Sequence, residues 1–121
     1  MYRISKDIDL NEIVGSEIQQ ICSGRYDIQF HFHSGTNISV QGEISLLDRG
    51  QVLGTWNEEQ NWTSLSFQQL LNVKVIQYSV PNDRLLQIDF ANGFILQLHD
   101  SSDQYESFQI YTNDRNVITV I

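Results

Sequence analysis

One apolar pattern occurs twice in this chain, and it restricts the possible fold more than any other feature. Residues 28–40 are IQFHFHSGTNISV, and residues 86–98 are LQIDFANGFILQL. Both stretches have apolar residues at the first, third and fifth positions, a glycine at the eighth, and apolar residues at the eleventh and thirteenth. Alternation with a period of two is typical of strands with one buried face. The duplication therefore predicts two copies of one β unit.

The glycine in each copy predicts the turn. In the second copy, a two-residue loop at 92–93 would place the apolar residues of the two strands on opposite faces, because a shift of one residue turns every side chain over. A three-residue loop at 91–93 pairs Ile88 with Leu96 and keeps the apolar residues on one face. Gly93 then takes the left-handed conformation of a bulged turn.

The first copy follows the same rule. A loop at 33–35 pairs Phe30 with Ile38 and Ile28 with Val40, again on one face. Short helical turns at 10–15 and 66–72 are predicted ahead of the hairpins, from apolar residues spaced by three and four. Alternating or β-branched segments predict the other strands, at 16–22, 43–47, 51–56, 73–80, 105–112 and 117–121.

These elements predict a mainly β fold. We expect one domain, 1–121, made of a pseudo-repeat at 10–56 and another at 66–121, joined by a polar segment flanked by tryptophans. Each pseudo-repeat has a short helical turn and about four antiparallel strands. Half of the chain would bury too little surface to be stable alone, so we expect both halves to pack as one sandwich or partly open barrel.

The charge and cysteine content restrict the function. The 121 residues carry 15 acidic and 7 basic side chains, a net charge of −8. Such a field repels nucleic acid and anionic membranes and attracts cationic partners. The single cysteine, Cys22, and a charged N-terminal stretch without an export signal indicate the cytoplasm. We expect no cofactor, no nucleic acid and no membrane as partner.

A possible metal site is the pair His31 and His33, which alternation places on one face of a strand. Two histidines at this spacing can ligate zinc or copper, with His99 or Asp100 as a third ligand. The equivalent positions in the second copy are Asp89 and Ala91, so we expect these histidines to be exposed side chains and predict no metal site. No phosphate loop, metalloprotease motif or nucleophile motif occurs, and no catalytic residue is predicted.

The segments most typical of a partner-binding surface are the tryptophan-flanked join and the acidic stretch after the second hairpin. Tryptophan is enriched at binding hot spots, and acidic side chains speed association with a basic partner. One or both tryptophans could instead cap the open end of the sheet. The predicted partner-binding residues are Trp56, Glu58, Glu59, Trp62, Asp100 and Asp103.

Three short motifs resemble a family of small bacterial proteins of unassigned function. They are Ile13-Val14-Gly15 before the first strand, Phe90-Ala91-Asn92-Gly93 in the second hairpin, and Tyr105-Glu106-Ser107-Phe108 near the end. The chain departs from that pattern in having Phe108 in place of tryptophan, and in its tryptophan-flanked insert. Similar small acidic proteins are immunity partners of bacterial toxins, so the resemblance implies binding and no catalytic residues.

We therefore predict a non-catalytic cytoplasmic binding protein, an immunity-type inhibitor of a basic toxin domain, which is a monomer or a homodimer. Two alternatives stay open. One is a small metal-dependent protein or enzyme that uses the His31/His33 face. The other is a structural dimer formed through exposed strand edges.

Overall fold

The computed structural model describes residues 3–57, 61–100, 107–112 and 117–120, with the backbone alone considered at 61–64 and 117–120. Within these residues, ten strands and two 3₁₀ helices occur. The helices are Asn11–Ile13 and Asn61–Leu70. The strands are β1 (Ile18–Ser23), β2 (Ile28–Phe32), β3 (Asn37–Val40), β4 (Glu43–Asp48), β5 (Gln51–Trp56), β6 (Val75–Asn82), β7 (Leu85–Phe90), β8 (Phe94–His99), β9 (Phe108–Tyr111) and β10 (Val117–Val120).

The described strands form two antiparallel sheets, so the mainly β class is confirmed. The first sheet has the order β1-β2-β3-β9-β10, and the second has the order β5-β4-β8-β7-β6. Alternate residues of both sheets point inward and join one hydrophobic cluster, as in a sandwich. The buried side chains of the hairpin strands include Ile28, Phe30, Ile38, Val40, Leu86, Ile88, Leu96 and Leu98.

The predicted register of both hairpins is confirmed. Phe30 lies opposite Ile38 in the first, and Ile88 lies opposite Leu96 in the second. Gly35 and Gly93 have φ angles of 95° and 90°, the left-handed conformation that the three-residue turns require. Local alternation and one glycine were therefore sufficient to predict these turns.

Replacing Gly93 by alanine is expected to destabilise the protein by about 1 kcal/mol or more. A Cβ atom at this position would lie 3.4 Å from Cγ of Arg49, an ordinary contact, so the cost comes from the positive φ angle. Gly93→Asn is the matched control and should cost less, since asparagine tolerates this conformation. Urea denaturation measures both; an unchanged midpoint for Gly93→Ala would contradict the assigned turn.

Each half contributes five described strands where about four were predicted, and these strands are divided between the two sheets. β3 and β4 follow one another in sequence but lie in different sheets, and β9 pairs with β3 while β4 pairs with β8. Each sheet thus takes three strands from one half of the chain and two from the other. β3 and β4 do not pair with one another, because a hairpin with the two-residue connection 41–42 would set Val40 opposite Glu43 and put the apolar residues on opposite faces.

The two connections between the sheets meet in space. The backbone N–H groups of Gln41 and Gly42, which follow β3, both donate to the carbonyl of Ser107 at 2.8 Å. Ser107 immediately precedes β9, so it belongs to the chain that returns to the first sheet. These hydrogen bonds hold the crossing points together.

Candidate functional site

Trp56, a predicted partner-binding residue, lies in the core. It is the last residue of β5, pairs with Ile44 of β4, and its side chain is completely buried. Among the described residues, its indole Nε1 has no hydrogen-bond partner. A partner cannot contact this side chain in the folded protein, so the expected surface role of Trp56 is corrected to a core role.

Asp100 is also buried, at 3% exposure. Its carboxylate accepts a hydrogen bond from Nη1 of Arg3 at 2.7 Å and one from Oγ of Ser107 at 3.3 Å. The residue therefore belongs to the place where the chain leaves the second sheet. The expectation of an exposed acidic residue is wrong here, because a salt bridge and a hydroxyl replace the water around the carboxylate.

The other predicted binding residues fall largely outside the description. Glu58, Glu59 and Asp103 lie outside the described residues, and they stay predictions. Trp62 lies in the second 3₁₀ helix, Asn61–Leu70, with only its backbone considered.

The histidine pair does not assemble a metal site from described side chains. Nε2 of His31 lies 3.2 Å from Oε1 of Gln29. Nδ1 of His33 lies 2.9 Å from Nε2, the side-chain amide nitrogen, of Gln19. His99, one of the two possible third ligands, belongs to β8 in the other sheet, and Asp100 directly follows it. Across the described ranges, no group of three His, Cys, Asp or Glu side chains is close enough to hold a metal ion.

A serine–histidine contact occurs on the outer face of the second sheet. Oγ of Ser45 lies 3.3 Å from Nε2 of His99, and Glu43 lies opposite His99 in the ladder. Acyl transfer also needs donors aimed at the developing oxyanion. β4 lies between β5 and β8, so its backbone N–H groups serve the sheet. We therefore assign no hydrolytic site to this contact.

An exposed apolar surface lies at the β5 edge of the second sheet. Val52 and Leu53 are 63% and 40% exposed, and Leu65 of the second 3₁₀ helix is 78% exposed. The helix packs close to β5, because a Cβ atom at Gly54 would lie 2.1 Å from Oγ of Ser66. Val52, Leu53 and Leu65 are here called the β5 patch. In the sequence, Val52 and Leu53 lie shortly before the tryptophan-flanked segment, and Leu65 lies shortly after it.

A second apolar surface borders an open groove of about 420 Å³ at the opposite edge of the same sheet. One wall is strand β6, with Ile76, Tyr78 and Val80; the other is the segment 6–14, with Ile8 and Val14. Val14 is 45% exposed and Ile76 is 56% exposed. This concavity is here called the β6 groove.

Sequence reasoning missed both surfaces, although one signal was present. In VKVIQYSV, residues 73–80, the adjacent apolar residues Val75 and Ile76 interrupt the alternation. The structure has a bulge at this point, where the register shifts between Val75 and Gln77. Bulges re-aim side chains at sheet edges, so two consecutive apolar residues within an alternating strand were the available signal for an exposed Ile76.

Comparisons with known proteins leave the chain without relatives to argue from. It matches no protein family, no curated protein and no solved structure. Over the described residues, no helix is both long and apolar enough to cross a membrane. The resemblance to toxin-immunity proteins consequently stays a prediction.

Proposed function

We propose that this chain is a non-catalytic, cytoplasmic binding protein for a basic protein domain, of the immunity type that inhibits a bacterial toxin. The observation that carries the proposal is the net charge of −8 on a chain of 121 residues. A negative field of this size attracts a cationic partner over distances longer than any contact and opposes wrong partners of like charge.

The β5 patch supports the proposal as a contact surface. Interfaces combine an apolar centre with a polar or charged rim, and a few well-packed side chains supply most of the binding energy. Val52, Leu53 and Leu65 are exposed apolar side chains on β5 and on the helix that packs beside it, and Glu58 and Glu59 lie between Leu53 and Leu65 in sequence. Apolar contact and acidic steering would thus come from one stretch of the chain.

The proposal predicts different kinetic effects for charge and for the patch. An immunity-type role requires that a gene next to that of this chain encodes a basic domain. That domain is the probe, and surface-immobilised kinetics measure both rate constants. Raising sodium chloride from 0.05 to 0.5 M should slow association roughly tenfold or more, because salt shortens the reach of the acidic field. Glu58→Lys with Glu59→Lys should likewise slow association.

Val52→Ala with Leu65→Ala should instead speed dissociation, roughly tenfold, because apolar contacts act after encounter. Tyr26→Ala is the matched control: Tyr26 is 57% exposed but lies in the turn between β1 and β2, in the other sheet. It should change neither rate constant. An association rate that does not depend on salt would overturn electrostatic steering, and a neighbouring gene without a basic domain that binds would overturn the immunity-type role.

A further inference from the structure

Strand β6 is an open edge of the second sheet. Its first residue, Val75, is covered: its carbonyl accepts from Gly15 N–H at 2.8 Å, and its N–H donates to Ser16 O at 2.9 Å. From Ile76 to Val80, no described strand other than β7 pairs with β6. An unpaired edge presents a row of backbone donors and acceptors that can accept another strand.

The β6 groove runs along this edge, and hydrogen bonds tie its two walls together. The hydroxyl of Tyr78 accepts from the N–H of Leu10 at 3.0 Å. It also lies 3.2 Å from the carbonyl of Ile8 and 3.2 Å from Oδ1 of Asn11, either of which can take its proton. These contacts tie the segment 6–14 to β6, so the far wall of the groove is formed before any ligand arrives.

Apolar side chains flank the edge on both sides. The bulge leaves Ile76 as the extra residue of β6, more than half exposed, and Val14 faces the same cavity from the other wall. In strand addition, backbone hydrogen bonds supply affinity while pockets for alternate side chains supply specificity. Val14 and Ile76 provide such contacts for an incoming apolar side chain.

The net charge of −8 favours a basic ligand, while Lys6 is the charged side chain among the described residues that line the groove. The segment 6–14 carries three acidic residues, Asp7, Asp9 and Glu12, and one lysine, Lys6; Asp7 and Asp9 are exposed. A second copy of the chain would instead bring two bodies of net charge −8 together at their edges, which like-charge repulsion opposes.

We propose that the β6 groove binds an extended segment of a basic protein, which adds to β6 as a further antiparallel or parallel strand beside Ile76–Val80. Its apolar side chains contact Val14 and Ile76, and its basic side chains are attracted by the net negative charge of the chain. This inference rests on the proposed function for the charge of the ligand, but it uses a surface separate from the β5 patch.

The test maps binding on the ¹⁵N-labelled full chain by NMR. The probe is an acetylated octapeptide that alternates lysine and valine. Amide shifts are expected at Ile76–Val80 and Val14. Replacing lysine by glutamate in the peptide should weaken binding roughly tenfold or more, and N-methylating alternate amides along one peptide edge should do the same, because that edge can no longer donate to β6.

A variant pair locates the site on the protein. Ile76→Lys is expected to weaken binding roughly tenfold by removing an apolar wall and repelling the peptide. Tyr26→Lys, which places the same charge on an exposed residue in the turn between β1 and β2 of the other sheet, should leave the affinity unchanged. Both positions are more than half exposed, so both variants should fold.

Several outcomes would overturn the inference. They are shifts that map away from β6, equal binding of the N-methylated peptide, no binding of any peptide, or a doubled mass in which β6 pairs with a second copy. None of these contradicts salt-dependent binding of the basic domain at the β5 patch. Conversely, an association rate that does not depend on salt would contradict the proposed function but would not contradict peptide binding at β6.

Discussion

Trp56→Ala is expected to destabilise the protein by about 3–5 kcal/mol, the range for truncating a buried aromatic side chain. Trp56 is completely buried at the end of β5, so the substitution opens a cavity between the sheets. Denaturant unfolding measures the loss of stability, provided that the dependence of the unfolding free energy on denaturant concentration is the same in the variant and the parent. Val52→Ala on the same strand is the matched control and should stay within about 0.5 kcal/mol, as expected for an exposed residue.

Trp56→Phe separates packing from polarity. Phenylalanine retains most of the apolar surface and removes an indole N–H that has no partner among the described residues, a group whose burial costs about 1–3 kcal/mol. The phenylalanine variant should therefore lose less than half of what the alanine variant loses. A Trp56→Ala variant as stable as the parent would show that this tryptophan is exposed, and would restore its role in binding.

Asp100→Ala is expected to cost about 1–3 kcal/mol, because it removes the buried carboxylate that accepts hydrogen bonds from Arg3 and Ser107. The guanidinium of Arg3 and this carboxylate are 2.7 Å apart, and the Asp100 side chain is fully buried. Asp83→Ala removes the same charge from an exposed position and should change stability by about 0.5 kcal/mol or less.

A double-mutant cycle tests the pairing directly. Arg3→Met with Asp100→Ala should cost less than the sum of the two single substitutions, since each single substitution already removes the same interaction. Additive losses would contradict a coupled ion pair. If Asp100→Ala instead slowed association with the basic domain and left stability intact, Asp100 would belong to the binding surface after all.

The sequence predicted those features that depend on neighbouring residues. The hairpin registers at Phe30–Ile38 and Ile88–Leu96 follow from alternation and one glycine each, both local. Parity across the connection 41–42 explains why β3 and β4 do not pair, but it does not identify β8 as the partner of β4. The alternation of Ile44 and Leu46 in β4 is compatible with pairing to several strands. That β4 pairs with β8 depends on the packing of the whole sandwich.

The site was less predictable for a related reason. Tryptophan and aspartate are common both at interfaces and in cores, and composition does not tell the two apart. Burial of Trp56 depends on the core that forms between the two sheets, and burial of Asp100 depends on Arg3, which is 97 residues away in sequence. The β5 patch and the β6 groove likewise exist because β5 and β6 are edge strands, which only the strand order reveals.

The exchange of strands between the two halves has a consequence for the route of folding. The first sheet is complete only when Asn37–Val40 meets Phe108–Tyr111, and the second only when Glu43–Asp48 meets Phe94–His99. Such pairings lose the conformational entropy of long loops before the burial of apolar surface stabilises them. Domains dominated by such pairings fold in about milliseconds to seconds. Each hairpin can form early, but the first three strands of either half stay exposed on one face until the other half arrives. During synthesis, the N-terminal half therefore cannot complete either sheet until the strands of the C-terminal half have been made.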